Sequence, residues 1–187
     1  MPLSKQTWTS RQKVSKNELT AMTDSLTRLQ NPPYMRASTA TGTSFGSEAP
    51  VSWGNFDSKS FTRKGTSEFV APADGLYWVT AAITLNTPSS MTATSDCGLY
   101  LMLGRSFNGI GGKNGDENYM KCQVGSRVMG SYYTCTASSL MPLKKGYSLW
   151  ASCMSAGDPW VKAVTGNPTD ALSYLSAVLI YPDITVF

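Results

Sequence analysis

The chain has 187 residues, which is room for one domain with an extension. It is 41% hydrophobic and only 15% charged, a composition that favours a rigid folded body over a largely disordered chain. The absence of histidine excludes Ser-His and Cys-His catalytic dyads and histidine-ligated metal sites.

The formal net charge of +4 lies at the N-terminal end of the chain. Residues 37–187 carry ten basic and ten acidic side chains, so they have no net positive charge with which to build a nucleic-acid-binding face. We therefore expect no nucleic acid partner. The basic segment fits either contact with an acidic partner or a solvated helix face. Its charged residues are Lys5, Arg11, Lys13, Lys16, Arg28 and Arg36, with the acids Glu18 and Asp24.

A helix is predicted over residues 16–29. Ser15 and Glu18 fit a capping box, in which each side chain accepts a hydrogen bond from the other residue's backbone amide. Asn31, followed by Pro32 and Pro33, must end the helix because proline cannot continue it.

The apolar residues of this helix form a narrow seam. Leu19, Met22, Leu26 and Leu29 recur at spacings of three, four and three, which is a heptad-like pattern. A helix of this length is marginal by itself, so the seam needs a partner. The partner is either the other copies in a homo-oligomer or a different protein.

Residues 37–50 are rich in Ser, Thr and Gly and are predicted to be a linker. The chain is thus predicted to consist of an N-terminal segment (1–36), this linker (37–50) and a folded body (51–187).

Three segments of the body have strand patterns. The segment from Phe69 to Leu85 begins with a turn at Pro72, Asp74 and Gly75, after which apolar residues alternate. A second segment has the turn Lys144–Gly146, and the third is apolar on both faces from Ala177 to Tyr181, as expected of a strand that is covered on both sides. The residues on one face are Tyr77, Val79, Ala81, Ile83 and Leu85 in the first strand and Tyr147, Leu149, Ala151 and Cys153 in the second.

These segments, in this order, resemble the jelly roll of tumour necrosis factor and the globular head of the first complement component. The matching positions are Phe69, Pro72, Gly75 and Tyr77, then Leu143 and Gly146, then Tyr174 to Tyr181. Tyr147 departs from the pattern, since the family usually has Asp after this glycine. The resemblance implies an all-β jelly-roll sandwich that forms a trimer, here with a short N-terminal α-helix. For the trimer interface we predict Tyr174, Val178, Ile180 and Tyr181.

Two Asn-Gly pairs, at Asn108 and Asn114, predict hairpin turns in a long tip. Such loops either carry recognition or only close hairpins. Aromatic residues outside regular strands are candidate carbohydrate platforms, although aromatics in a trimeric sandwich more often pack. The candidate receptor or glycan contacts are Asn108, Asn114, Tyr119 and Trp160.

No catalytic, metal or cofactor site is predicted. Asp116 and Glu117 are adjacent acids, which usually only solvate a turn, and no calcium-loop pattern surrounds them. Residues 109–113 are glycine-rich, but no Ser or Thr follows Lys113 as a phosphate-binding loop requires.

Residues 1–11 lack the apolar run of a signal peptide, and no segment approaches the about 20 apolar residues of a membrane helix. We expect synthesis in a reducing cytosol and no membrane insertion. The four cysteines are then expected to be buried free thiols: Cys97, Cys122, Cys135 and Cys153.

The N-terminal segment resembles the leader of many tail-fibre and minor tail proteins of tailed bacteriophages. The resemblance rests on Trp8, Val14, the run Asn17–Ala21 and the terminal Asn31–Pro33. It implies attachment to a virion. The predicted particle-anchoring residues are Trp8, Arg11, Lys13, Leu19, Met22, Leu26 and Leu29.

Together these patterns predict a non-enzymatic bacteriophage virion protein, a homotrimer located on the virion surface. Residues 1–36 would bind other virion proteins, and the jelly roll would project outward as a tail-fibre, minor tail or receptor-binding protein. A capsid decoration protein, or head fibre, is the alternative position. A soluble glycan-binding module is the alternative of another class.

Overall fold

In the computed structural model, a helix is followed by two antiparallel sheets that pack face to face. The structure describes residues 15–40, 44–45, 49–86, 97–106, 109, 117–126, 132–156, 161–163 and 173–182. The elements are α1 (Lys16–Gln30), β1 (Tyr34–Ala40), β2 (Ser44–Phe45), β3 (Ala49–Pro50), β4 (Trp53–Lys59), β5 (Thr62–Lys64), β6 (Glu68–Val70), β7 (Gly75–Asn86), β8 (Cys97–Ser106), β9 (Glu117–Ser126), β10 (Tyr132–Leu143), β11 (Ser148–Ala156), β12 (Val161–Ala163) and β13 (Tyr174–Pro182).

Sheet I has the strand order β2-β12-β7-β13-β1-β4, and β10 pairs with β7 along its whole length. Sheet II has the order β5-β6-β11-β8-β9, and β3 pairs with β11 at Ser152 and Cys153. The first and last long strands of the chain, β1 and β13, are therefore neighbours in the same sheet.

The predicted helix and its capping box are confirmed. The Ser15 amide donates to Glu18 Oε2 over 2.8 Å, and the Glu18 amide donates to Ser15 Oγ over 3.2 Å. At the other end the Asn31 amide donates to the Thr27 carbonyl over 3.1 Å, and Pro32 and Pro33 follow. The helix ends where the sequence predicts, within one residue.

β1 differs from the predicted boundaries, because residues 34–40 belong to sheet I. This strand pairs with β13 on one side and with β4 on the other, and Met35 and Ala37 are fully buried in the core. The segment therefore contributes to the folded body, although it was predicted to be the end of the N-terminal segment and the start of a linker. Its few apolar residues did not indicate a strand in the sequence, and one of its two partners, β13, comes from the other end of the chain.

The two turns identified in the sequence lie against each other. The Ala71 amide donates to the Tyr147 carbonyl, and the Gly146 amide donates to the Ala71 carbonyl, both over 2.9 Å. Asp74 Oδ1 accepts from the Lys145 amide over 2.6 Å. Each turn thus starts a strand of a different sheet, and these bonds join the two sheets at this end of the sandwich.

The core lies between the inner faces of the sheets. Tyr77, Val79, Ala81 and Ile83 of β7 are fully buried, as their alternation predicts, and the Leu85 side chain lies outside the described residues. Aromatic pairs connect the layers: Phe56 stacks on Phe69 with ring centroids 5.0 Å apart, and Phe61 meets Tyr77 edge to face at 5.6 Å.

β11 is buried on both faces, although the alternation of apolar residues in its sequence is typical of a strand with one buried face. Leu149, Ala151 and Cys153 face the core, but Ser148, Trp150 and Ser152 are also buried. Trp150 lies directly opposite Gly104 of β8. A Cβ atom at Gly104 would be 2.4 Å from the indole ring, so only glycine leaves room for the ring there.

Two of the thiols lie in the core on opposite sheets. Cys135 of β10 and Cys153 of β11 are both buried and form no disulfide bond, as predicted, while the Cys97 and Cys122 side chains lie outside the described residues. Burial, and secondarily the neighbouring Cys135, raises the pKa of the Cys153 thiol far above its ordinary value. Cys153 therefore stays a neutral thiol at physiological pH and is not a nucleophile.

Gly104→Ala is expected to lower the free energy of unfolding by about 1–3 kcal/mol, because the added methyl group displaces Trp150 from its place in a packed layer. Urea unfolding followed by circular dichroism measures the change. Thr62→Ala, at an exposed position of the short strand β5, is the control and should change the stability by no more than about 0.5 kcal/mol. Equal stability of the two variants would contradict the packing described for Trp150.

Cys153 is expected to resist iodoacetamide at pH 8 in the folded protein, at least about a hundred-fold more strongly than in urea, because it is both buried and neutral. Peptide mass analysis after timed labelling measures this rate. Asp24→Cys places a thiol on the exposed face of α1 and should be labelled at the rate of a free thiol. Labelling of Cys153 at a comparable rate would show that the core is open at this point.

Candidate functional site

A row of apolar side chains crosses the outer face of sheet I. Cross-strand pairing places Leu140 of β10 opposite Trp78 of β7, Trp78 opposite Val178 of β13, and Val178 opposite Tyr34 of β1. These four residues, which we call the apolar row, lie side by side because strand register aligns them. They come from both ends and the middle of the chain.

The apolar row is open to solvent in the single chain. Trp78 is 46% exposed and Leu140 is 47% exposed, and Val178 is only partly buried. Ile180 and Tyr181, at 43% and 45%, continue the surface along β13, where an irregularity in the pairing with β7 follows Leu179. A contiguous patch of large apolar side chains on the surface of a single chain marks an interaction site.

Beside the apolar row, the same face of the sheet is polar and its hydroxyl groups pair with one another. Thr80 and Ser138 are 3.0 Å apart, and Thr84 and Thr134 are 2.9 Å apart. Each pair joins β7 to β10. These hydroxyls are therefore engaged in cross-strand hydrogen bonds.

Charged residues lie on the β1 and β4 side of this face. Arg36 of β1 stands directly opposite Asp57 of β4, and the Arg36 guanidinium carbon is 5.8 Å from the centroid of the Tyr174 ring. The Tyr34 hydroxyl donates to Asp57 Oδ2 over 3.4 Å. A charged rim beside an apolar centre is the usual composition of a protein-protein interface.

The residues predicted for the trimer interface lie on this face, beside exposed residues that the prediction did not name. Val178, Ile180 and Tyr181 are part of the exposed surface, while Tyr174 is partly covered beside Arg36. Sequence reasoning missed Trp78, Leu140 and Tyr34. Trp78 had a detectable signal, since a tryptophan stood at an outward position of a strand whose alternation was already recognised.

β13 is buried against the core on one face. Leu175, Ala177 and Leu179 are buried there, whereas on the other face Tyr174, Ser176 and Val178 are partly buried and Ile180 is exposed. The described residues therefore cover the second face of the strand only in part.

The predicted anchoring residues of α1 are also exposed. Leu19, Met22 and Leu26 are 59%, 43% and 57% exposed, so the seam has no partner among the described residues of the chain. The Leu29 side chain, and all of Trp8, Arg11 and Lys13, lie outside the described residues.

The candidate recognition loop is described at one residue. Gly109 has a φ of +83°, as the Asn108-Gly109 turn prediction requires, and a Cβ atom there would be 2.5 Å from Glu68 Oε2. Glu68 in turn pairs with Lys64 over 3.4 Å. Gly109 thus lies against the β5-β6 hairpin. Asn108, Asn114 and Trp160 lie outside the described residues, as does the side chain of Tyr119, which is part of β9.

Among the residues that the structure describes, no cluster of three or more Cys, Asp or Glu side chains could hold a metal ion. Within the same residues, no helix is long and apolar enough to cross a membrane.

No protein-family model matches the chain, and no curated protein matches its sequence. Its fold is nevertheless similar to solved jelly-roll structures. Murine APRIL, in a crystal structure at pH 8.0, is 14% identical, with a TM-score of 0.53 over 79% of this chain and 98% of the APRIL chain. The globular domain of the zebrafish complement 1qA protein is 14% identical, with a TM-score of 0.56 over 81% of this chain and 99% of that domain.

The Eiger tumour necrosis factor from S. frugiperda is 16% identical, with a TM-score of 0.55 over 81% of this chain and 94% of that chain. At such identities the similarity concerns the fold alone. It confirms the prediction from the ordered motifs of β7, β11 and β13: the chain is an all-β jelly-roll sandwich of the tumour necrosis factor and complement-head type, preceded by a short helix.

Proposed function

We propose that this chain is a non-enzymatic homotrimer that buries the outer face of sheet I between its copies and displays the jelly roll on a larger particle. The exposed apolar row, with Ile180 and Tyr181, is the observation that carries the proposal. Half-exposed side chains of this size each gain on the order of 1 kcal/mol when a partner covers them.

The composition of this surface suits another copy of the same chain as the partner that covers it. The centre is aromatic and aliphatic, the hydroxyls beside it already pair within the chain, and the Arg36 and Asp57 charges lie to one side. Covering the apolar row therefore leaves few buried polar groups without partners. The choice of a trimer over a dimer comes from the resemblance of the sequence motifs to the tumour necrosis factor and complement-head jelly roll.

The proposal of a non-enzymatic role rests on chemistry. The chain has no histidine, and the Cys153 thiol is buried and neutral. On the outer face of sheet I, the hydroxyls of Thr80 and Ser138 pair with each other, as do those of Thr84 and Thr134. A display or binding role requires neither a histidine base nor a reactive thiol.

Attachment to a virion is supported by the N-terminal segment. Its sequence resembles the leader of tailed-bacteriophage tail proteins, and it holds the net positive charge of the chain. In this proposal the protein sits on the virion surface as a tail-fibre, minor tail or receptor-binding component, with capsid decoration as the alternative position. In this proposal the attachment segment ends before β1, because the residues from Tyr34 onward pair within sheet I.

Trp78→Glu is expected to weaken self-association at least about a hundred-fold, because it would bury an unpaired carboxylate at the centre of the interface. Light scattering at micromolar concentration should give three chain masses for the native protein and one for the variant, and circular dichroism should show that both are folded. Thr62→Glu, an equally charged change on the exposed edge of sheet II, is the control and should remain trimeric. A monomeric native protein, or a trimeric Trp78→Glu variant, would refute the proposed interface.

Removal of residues 1–30 is expected to abolish addition of the protein to particles that lack it, while the body stays folded and self-associated. The deletion ends before Asn31 because the Pro33 carbonyl accepts a hydrogen bond from the Leu179 amide over 3.0 Å, which fastens this segment to β13. A deletion through residue 36 would also remove part of β1. Co-sedimentation with the particles measures binding, with the full chain as reference. Equal binding of the truncated and full chains would show that attachment uses another part of the molecule.

A further inference from the structure

The seam of α1 has the geometry of a helix-bundle interface rather than that of a helix packed on its own domain. Leu19 and Leu26 are separated by one heptad, and Met22 lies between them on the same side. All three are exposed, although they are the largest apolar side chains described on the helix. At about 100° per residue, Asp24 points about 180° away from the centre of the seam.

The C-terminal end of the helix is fastened to sheet I beside the apolar row. α1 contacts β13, and Lys59 Nζ of β4 donates to the Asn31 carbonyl over 3.3 Å. Two residues later the Pro33 carbonyl accepts from Leu179 of β13, and the next residue, Tyr34, is the end of the apolar row. The C-terminal end of the helix that carries the seam therefore lies next to the Tyr34 end of the apolar row.

We propose that three copies of α1 pack as a parallel bundle along Leu19, Met22, Leu26 and Leu29, so that the helix extends the interface between copies of this chain. This inference rests on the proposed trimer. The helix has 15 residues and is about 22 Å long, which is too short for three free helices to associate stably. A trimeric body raises their effective concentration, because each helix is attached to the body by only a few residues.

The residues flanking the seam permit this packing. The positions on either side of the seam carry one residue of each charge, Lys16 and Glu18, and otherwise Thr23, Ser25 and Gln30. The Glu18 carboxylate already accepts a hydrogen bond from the Ser15 amide, so it is held at the start of the helix. Three parallel copies thus bring little like charge together.

Contact with the particle then belongs to other residues. The seam is used between the copies, which leaves the polar face of α1 and the basic residues that precede Ser15, namely Lys5, Arg11 and Lys13. The bundle would present three copies of this basic segment together, which strengthens binding to an acidic surface through multivalency.

Disulfide trapping in the full chain tests the bundle. Leu26→Cys places a thiol in the seam, and Asp24→Cys places one on the opposite face of the same helix, against the same background of four natural cysteines. Each variant is treated with a mild copper oxidant and analysed on a non-reducing denaturing gel, while light scattering gives its mass before oxidation. Leu19→Cys repeats the test one heptad earlier.

Leu26→Cys and Leu19→Cys should each form covalent dimers with a yield that approaches about two-thirds of the chains and does not fall on dilution, because three thiols around one axis leave one unpaired. Asp24→Cys should stay at the level of the native chain. A trimeric mass without seam cross-links, or equal cross-linking of Asp24→Cys, overturns the bundle and leaves the trimer standing. A monomeric mass overturns both.

Discussion

The position of β13 between β7 and β1 is the constraint on which the rest of the structure depends. Its pairing with β7 continues the core that starts at Tyr77, and its pairing with β1 draws the N-terminal end of the body into the sheet. Because side chains alternate along a strand, this one placement sends Leu175, Ala177 and Leu179 into the core and turns Val178 outward. The exposed surface of the protein is thus a direct consequence of the pairing that builds its interior.

Two exposed apolar surfaces of the described residues lie near this strand. The apolar row crosses β13 at Val178, and α1, which carries the seam, is fastened to the sheet at Leu179 through the Pro33 carbonyl. In the proposed trimer, both surfaces lie between copies of the chain. The paired hydroxyls of sheet I and the thiols of Cys135 and Cys153 contribute to the fold, the hydroxyls through cross-strand hydrogen bonds and the thiols through packing in the core.

Local signals predicted the elements that depend on neighbouring residues. The capping box of Ser15 and Glu18, the stop at Pro32, and the turns before β7 and β11 were all found as expected, because each is built from contacts within a few positions of the chain. The pairing of strands that are far apart in the chain could not be predicted from such local signals. Residues 34–40 were assigned partly to the N-terminal segment and partly to a linker, because Met35 and Ala37 become core residues only when β1 pairs with β4 and with β13 from the other end of the chain.

The candidate site likewise contains residues that the sequence indicated and residues that only the structure revealed. The apolar character of Val178, Ile180 and Tyr181 was readable from the sequence, because a run that is apolar on both faces has no explanation in a half-exposed strand. Only the tertiary structure placed Leu140, Trp78 and Tyr34 beside them, since strand register, which the amino-acid order of any one segment cannot determine, decides which distant side chains become neighbours. The sequence by itself determined that the chain is a jelly roll with a capped helix, and tertiary pairing decided where its surface is apolar.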